Sequence, residues 1–288
     1  MNPNIKMIEV IALTDKGGVA KTLVLKTLAN IYDQMGVTWR ALDFDAAHQG
    51  LLRAFPAKTE LVSLESTSEK EGEFMRILRR MEPDHDVTLI DLQAHASRVC
   101  RQTIVKIDHV RTAYEKGIQV VCLLFPTSDP TDINRINEDV AALRDTPVKF
   151  VAVENVRNVA GGNTRLGFSA WRGSPAGKLI AETGATIRIP AIISVVNQAM
   201  VYANTKARRE LTINELIEPG SGHLPFEYQG VLEMDFFRPI WAQVARNADF
   251  FLPPALAGEI LASLPPEPEE KHVSSSMYDC INLDGLEE

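Results

Sequence analysis

The stretch that decides the fold is Asp15-Lys16-Gly17-Gly18-Val19-Ala20-Lys21-Thr22. An apolar run at 7–13 precedes it, and apolar residues at helical spacing follow over 22–35. A strand, a Gly-rich turn and a helix that opens on Lys-Thr typically form a cradle for phosphate. Backbone N–H groups and the positive end of the helix dipole then meet the anion. We therefore predict a phosphate site at this turn.

The spacing of the turn differs from the common phosphate-binding pattern G-x-x-x-x-G-K-S/T. Counting back from Lys21, Ala20 and Asp15 stand where that pattern has its two glycines. The chain instead reads K-G-G-x-x-K-S/T, with a second lysine, Lys16, at the start. From the motif alone, Lys21 would neutralise phosphate charge and Thr22 would ligate Mg²⁺.

Residues 16–22 resemble the deviant Walker A motif of the ParA/MinD family of ATPases, in which Gly usually stands at the position of Ala20. The resemblance implies that Lys16 reaches across a homodimer to the phosphates held by the other subunit. It also implies that the whole motif binds ATP, through Lys16, Gly17, Gly18, Val19, Ala20, Lys21 and Thr22. The alternative for this stretch is a Gly-rich turn before an ordinary helix.

Aspartates at predicted strand ends supply further parts of an ATPase site. Asp43 and Asp45, followed by Gln49-Gly50, resemble the family's switch I pattern, with residues 46–48 in place of a single proline. This implies that Asp45 orients the attacking water and that Asp43 supports the Mg²⁺ site. Two solvated strand-end carboxylates are the alternative. The predicted catalytic residues are thus Lys16, Lys21 and Asp45.

Asp91 closes the apolar run 87–91, as the aspartate of a Walker B strand does. The resemblance implies that Asp91 holds Mg²⁺ through a water molecule. Asn155, after the run 151–154, corresponds in the same way to the family's asparagine that reads the adenine edge. A turn former after a strand is an equal alternative for Asn155.

Strand-like runs alternate with helical patterns along most of the chain. This alternation predicts an α/β fold, with a doubly wound, mostly parallel sheet covered by helices on both faces. Polar residues repeatedly follow the strands, and ligands bind beyond the carboxyl ends of such strands. We predict one ATPase domain over 1–264, with a helical C-terminal part from about 205. The acidic stretch 265–288, rich in Pro, Glu and Ser, is predicted to be disordered.

Composition narrows the function classes. The three cysteines are widely spaced and form no CxxC pair, which argues against a disulfide framework or a zinc knuckle. We find neither a signal-peptide pattern nor an apolar run of the about 20 residues that span a bilayer. We therefore expect a cytoplasmic protein, associated with the nucleoid if it binds DNA. Because the net charge is −8, any DNA contact must come from a local basic patch.

The first functional hypothesis is a ParA-type switch in plasmid or DNA segregation, stability or conjugative transfer. Its ATP-bound homodimer would bind DNA non-specifically, and a partner protein would stimulate hydrolysis. Lys206, Arg208 and Arg209 are candidate DNA contacts, with a solvated helix end as the alternative. Only 15 residues precede Lys16, so we expect no DNA-binding domain ahead of the motif.

Other outputs of the same scaffold stay open. A MinD-like positioning ATPase needs a basic amphipathic C-terminal helix, whereas this C-terminus is acidic, so we do not expect membrane binding. An electron donor related to nitrogenase reductase needs paired cysteines, which Cys100 and Cys122 do not match. An ATP-dependent ligase and a nucleotide-binding module that does not hydrolyse are the remaining alternatives.

Overall fold

The structure is a computed structural model that describes residues 4–14, 16–62, 67–93, 97–158 and 167–263. The predicted disordered stretch 265–288 and Asp15 of the phosphate-site motif lie outside the described residues. All other residues predicted for the site lie within them.

The sheet confirms the predicted fold class. In the described part of the chain it has seven strands, and every neighbouring pair runs parallel. The spatial order is β3-β2-β4-β1-β5-β6-β7. The strands are β1 (Met7–Leu13), β2 (Trp39–Asp43), β3 (Thr59–Leu61), β4 (Val87–Asp91), β5 (Ile118–Leu124), β6 (Lys149–Asn155) and β7 (Ala185–Ile189).

Helices connect the strands and continue beyond the last one. Up to β7 they are α1 (Lys21–Met35), α2 (Gly50–Ala54), α3 (Thr67–Arg80), α4 (Ser97–Lys106), α5 (His109–Glu115), α6 (Pro130–Leu143), α7 (Ser169–Gly173) and α8 (Pro175–Thr183). After β7 they are α9 (Ser194–Ala207), α10 (Ile213–Ile217), α11 (Phe226–Val231), α12 (Arg238–Arg246), α13 (Ala248–Phe251) and α14 (Pro254–Ser263). A 3₁₀ turn covers Val156–Asn158, and a π-helical segment covers Leu232–Phe237.

The spacing of apolar residues predicts one helix over 97–116 and another over 234–248, and the structure divides both of them. The pattern over 97–116 forms α4 and α5, because Asp108 between them takes a left-handed conformation with φ of 48°. Aspartate tolerates that conformation better than most residues, and it ends a right-handed helix. The pattern over 234–248 forms a π-helical segment and then α12, which has Pro239 in its first turn. Proline has no N–H to donate to the preceding turn, and a change of helical geometry commonly accompanies such a missing bond.

Each face of the sheet carries its own core. Ile8, Val10 and Ala12 of β1 face one core, together with α1 and the helices after β7. Met7, Ile11 and Leu13 face the other core, together with helices α3 to α6 and α8. Because β1 is covered on both faces, its whole length is buried and its sequence is apolar almost without interruption.

The helices after β7 belong to the first of these cores. Ala248 and Phe251 are fully buried in it, and the Tyr32 hydroxyl of α1 donates a hydrogen bond to the Phe251 carbonyl oxygen at 3.3 Å. None of the helices in the described ranges combines the length and the apolar character needed to cross a bilayer.

Candidate functional site

The predicted site residues meet at the carboxyl edge of the sheet because all strands run in one direction. The chain leaves β1 for β2 on one side of it and later returns as β5 on its other side. In open parallel sheets, ligands bind outside the strand ends where the order of the strands reverses in this way. The loop after β1 lies at this point, between the loops that follow β4 and β5.

The loop after β1 leads into a helix whose N-cap residue provides no side-chain cap. Gly18 and Ala20 have left-handed backbones, with φ of 75° and 74°. Ala20 is the N-cap residue of α1 and makes no side-chain cap. The first N–H groups of a helix have no intrahelical acceptor, and here no side chain of the N-cap residue compensates them. Such an end suits an anion, which takes the place of the cap.

Thr22 and Asp91, the two predicted Mg²⁺ ligands, are in direct contact. The Thr22 hydroxyl donates to Asp91 Oδ2 at 2.6 Å. Asp91 is 1% exposed, and this burial raises the pKa of its carboxyl to about 7, against the smaller effect of the Thr22 hydrogen bond. A cation at this position would favour the charged carboxylate.

The phosphate-site lysine lies beside the same pair. Lys21 is buried, and its Nζ donates to the Lys16 carbonyl oxygen at 3.1 Å. Within the described ranges, no group of three or more His, Cys, Asp or Glu side chains is placed to hold a metal ion. The hydroxyl of Thr22 and the carboxylate of Asp91 are oxygen ligands of the kind that Mg²⁺ prefers, and at nucleotide sites Mg²⁺ usually takes its other ligands from phosphate and water.

Asp43 organises the loop between β2 and α2. It is fully buried, and burial is the main cause that raises the pKa of its carboxyl. Its Oδ1 accepts the Asp45 N–H at 2.9 Å, and its Oδ2 accepts the N–H groups of Leu51 and Leu52 at 3.0 and 3.2 Å. The structure thus places Asp43 close to the site as the residue that holds both ends of this loop.

Asp45 lies in the same loop, with a side chain that is 20% exposed. Its Oδ1 accepts the His48 N–H at 3.2 Å, and its Oδ2 lies 3.1 Å from His48 Nδ1. These contacts join Asp45 to the last of the three residues, 46–48, that replace the single proline of the switch I pattern. The loop therefore has a defined local geometry around the predicted water-orienting carboxylate.

Helix α2 packs tightly on the start of α1. A Cβ atom placed on Gly50 would lie 2.4 Å from Thr22 Cγ2, well inside van der Waals contact. Only glycine fits at this close approach. The position of α2 is therefore coupled sterically to a predicted Mg²⁺ ligand, which the sequence pattern Gln49-Gly50 did not reveal.

Asn155 lies beside the phosphate-site loop and bonds to the chain at both ends of its amide. Its Oδ1 accepts the Arg157 N–H at 3.0 Å, and its Nδ2 donates to the Val19 carbonyl oxygen at 3.5 Å. These bonds fit the turn-former alternative, and since an amide has two N–H groups and two oxygen lone pairs they are also compatible with the predicted adenine contact. A cavity of about 310 Å³ opens next to it, with a lining that includes Gly18, Ala20, Asn155, Pro190, Asn197 and Met200. Sequence reasoning missed Asn197 and Met200 of α9.

Lys16 contacts its own chain through the turn between β5 and α6. Its Nζ lies 2.6 Å from Asp132 Oδ2 and 3.3 Å from Asp129 Oδ2. The hydrogen bond to Asp132 is the main cause that raises the pKa of the Lys16 ammonium group. Sequence reasoning missed both aspartates; the only signal was Asp129-Pro130, a typical helix start.

The three candidate DNA contacts lie together where α9 ends. Arg208 ends the helix with φ of 55°, and Arg209 Nη1 donates to Glu215 Oε2 at 3.0 Å. This pairing balances the charge of Arg209. An open depression of about 620 Å³ brings Arg208 close to Arg53 of α2, a residue that the sequence did not single out. Arg53, Lys206 and Arg208 are all exposed.

Comparisons with known proteins show similarity only among solved structures. No family model matches this chain, and no curated protein matches it. Chloroplast FtsY from Physcomitrella patens is 18% identical with a TM-score of 0.39, over 63% of this chain and 57% of FtsY. This chain thus spans less than two thirds of that protein.

Two other solved structures match this chain over a larger share of their own length. A nucleotide-binding protein in complex with ADP from Archaeoglobus fulgidus is 16% identical with a TM-score of 0.44, over 66% of this chain and 85% of that one. MinD from Aquifex aeolicus is 11% identical with a TM-score of 0.38, over 91% and 99%. The likeness is one of fold alone. It assigns no ligand, activity or partner to this chain.

Proposed function

We propose that this chain is a ParA-type ATPase switch, which binds ATP with Mg²⁺ and dimerises in the ATP-bound form. The observation that carries the proposal is the loop after β1. It combines two lysines with the N-terminus of α1, for which Ala20 provides no side-chain cap, and it places the Thr22 hydroxyl 2.6 Å from Asp91 Oδ2. These are the groups that phosphoryl transfer needs for charge neutralisation and metal placement.

The residues of the chain have separate roles in this proposal. Lys21 exchanges its bond to the Lys16 carbonyl for a phosphate oxygen, and the N–H groups at the start of α1 bind the other oxygens. Thr22 would hold Mg²⁺ together with Asp91, which would act through a water molecule, and Asp45 would orient the attacking water. When bound, Mg²⁺ would neutralise charge on the phosphoryl group that ATP supplies.

The cavity beside Asn155 is the proposed place for the adenine base. It adjoins Gly18 and Ala20 of the phosphate loop, so one nucleotide can occupy both. Asn155 ties β6 to the phosphate loop and lines the cavity, and the second N–H and second oxygen lone pair of its amide can meet the adenine edge.

The proposed output is the segregation, stability or conjugative transfer of DNA, with a partner protein that stimulates hydrolysis. The support is that Arg53 of α2 and Lys206 and Arg208 at the end of α9 are all exposed, on a chain whose net charge is −8. Such side chains can bind phosphates without reading bases. Dimerisation would double their number.

The test is the variant Lys16→Ala, followed by light scattering and by ATP turnover with and without DNA. We expect the wild type to dimerise with ATP and Mg²⁺ and K16A to stay monomeric, with turnover lowered at least about tenfold because the charge across the dimer is lost. The control is Lys6→Ala, which removes an exposed lysine before β1, at the opposite edge of the sheet.

Undiminished dimerisation and hydrolysis in K16A would contradict the proposal. Turnover of the wild type that ignores DNA and any protein partner would instead favour a metabolic enzyme. ATP binding without turnover would favour the nucleotide-binding module.

A further inference from the structure

The turn between β5 and α6, together with the first turn of α6, provides two carboxylates for Lys16. Asp132 Oδ2 lies 2.6 Å and Asp129 Oδ2 lies 3.3 Å from Lys16 Nζ, across more than 110 positions of sequence. The Lys16 side chain is 39% exposed and that of Asp132 only 9%. Hydrogen bonds between charged groups are roughly twice as strong as neutral ones, and partial burial reduces their screening.

This turn is held in shape by bonds that do not involve Lys16. The Thr127 hydroxyl donates to Asp132 Oδ2 at 2.7 Å, and the Asp129 N–H donates to Thr127 Oγ1 at 3.1 Å. Asp129 also caps α6, since its Oδ1 accepts the Thr131 N–H at 2.8 Å. The two carboxylates are therefore positioned in advance as a site for one ammonium group.

The contact of Lys16 with Asp129 and Asp132 changes the net charge at the phosphate loop. Two carboxylates more than balance one ammonium group, so Lys16 in this position adds no net positive charge toward a second chain. Asp129 and Asp132 occupy the place at Lys16 Nζ that phosphate oxygens of a second chain would take. The two sets of partners therefore compete for Lys16.

We propose that the turn 127–132 is an intrachain latch, which holds Lys16 in the single chain and releases it to the nucleotide of a second copy on dimerisation. The inference rests on the proposed function, in which Lys16 acts across the dimer. If only the chains with released Lys16 are competent to dimerise, the apparent affinity of one chain for another is the intrinsic affinity multiplied by the fraction of chains in which Lys16 is released. Weakening the latch should then favour the dimer.

The test uses Asp132→Asn, which keeps the shape of the side chain and an oxygen to accept the Thr127 hydroxyl. We expect D132N to dimerise at about five- to tenfold lower ATP concentration than the wild type, by light scattering. Asp145→Asn is the matched control, because Asp145 is exposed just after the far end of α6 and does not contact Lys16. If D132N unfolds in urea much earlier than the wild type, Asp129→Asn replaces it.

A second measurement needs no nucleotide. The Lys16 amine is acylated with an N-hydroxysuccinimide ester at pH 8, and the rate is read by mass spectrometry against that of Lys6. We expect a several-fold faster reaction at Lys16 in D132N, since the released amine is more accessible and less strongly held in the protonated form.

The two measurements separate the latch from the proposed function. Unchanged acylation of Lys16 in D132N overturns the latch, whatever ATP does. Faster acylation together with weaker dimerisation also overturns it, because Asp132 would then present Lys16 to the partner. A wild type that binds no ATP refutes the proposed function, and faster acylation would then show a contact without a regulatory role.

Discussion

At the residue scale, the burial of Asp91 determines the pH above which its carboxyl is charged. Its pKa of about 7 in the folded chain lies above the ordinary value of 3.8 that applies to the unfolded chain. Folding therefore favours the protonated form. The stability that this provides is complete below the unfolded pKa and is lost as the pH rises from about 4 to about 7.

We predict that Asp91→Asn removes this loss in the absence of nucleotide and metal. The amide oxygen can still accept the Thr22 hydroxyl, but it carries no charge at any pH. The free energy of unfolding of D91N should exceed that of the wild type increasingly between pH 4 and 7, by up to about 4 kcal/mol above pH 7. Urea titrations at pH 4, 5.5 and 8 measure the difference.

A difference between D91N and wild type that stays constant with pH would contradict this prediction. The same variant should also lose Mg²⁺-dependent nucleotide binding if Asp91 has its proposed role. One substitution would thus stabilise the fold and disable the site, which is common where a functional charge is buried.

The backbone conformation of Ala20 is one that the motif helps to explain. Gly usually stands at this position of the motif that residues 16–22 resemble, and the observed φ of 74° lies in the left-handed region that favours glycine. The methyl group of alanine costs about 1 kcal/mol there. The left-handed Asp108, by contrast, stands in no motif, so the break between α4 and α5 could not be foreseen.

At the scale of elements, the contact between α1 and α2 gives a steric prediction. Gly50→Ala places a methyl group 2.4 Å from Thr22 Cγ2 and should destabilise the chain by about 1–3 kcal/mol. Thr22→Ser removes Cγ2 and keeps the hydroxyl. The double variant G50A/T22S should therefore regain most of the stability lost in G50A.

Urea titrations of the wild type, both single variants and the double variant provide a complete thermodynamic cycle. Additive effects of G50A and T22S would show that the methyl groups do not meet. Thermal unfolding in the presence of ATP and Mg²⁺ can then report whether displacement of α2 also weakens nucleotide binding.

The elements that the sequence predicted best are those with the strongest burial. The strands β1, β4, β5 and β6 are mostly apolar because both faces of the sheet are covered, so their runs are easily recognised. The strand β3 is three residues long at the sheet edge and leaves no comparable pattern. The short helix α2 is likewise too brief for helical periodicity.

At the scale of the whole molecule, parallel strands explain why residues far apart in sequence could be assigned to one site. Lys21, Thr22, Asp43 and Asp91 all follow or end a strand, and the carboxyl ends of parallel strands share an edge. The partners of Lys16 could not be found in this way. Their contact depends on the side-chain geometry of the β5–α6 turn, which no local pattern specifies.

The basic surface near the end of α9 gives a prediction for the assembled protein. The double variant Lys206→Ala, Arg208→Ala should weaken DNA binding by the ATP-bound dimer and reduce the slope of log affinity against log salt, by about 1 for each phosphate contact removed. Fluorescence anisotropy with duplexes of two unrelated sequences measures both quantities.

Arg144→Ala is the control for the DNA prediction, because Arg144 lies at the opposite end of α6, away from the carboxyl edge of the sheet. An unchanged salt slope in the double variant would exclude Lys206 and Arg208 from the DNA contact. A loss that depends on the sequence of the duplex would show base readout instead.

The hydrogen bonds of Asp43 bear on how much the length of the loop after β2 can vary. One carboxylate fastens the chain at Asp45 and again at Leu51 and Leu52, so the segment between them is a closed loop with fixed ends. The entropy of closing a loop changes slowly with length only when the loop is long and flexible, and this loop is short. A change in its length should therefore displace α2 relative to β2. Insertions and deletions should be harmful inside this loop as well as at either fastening point.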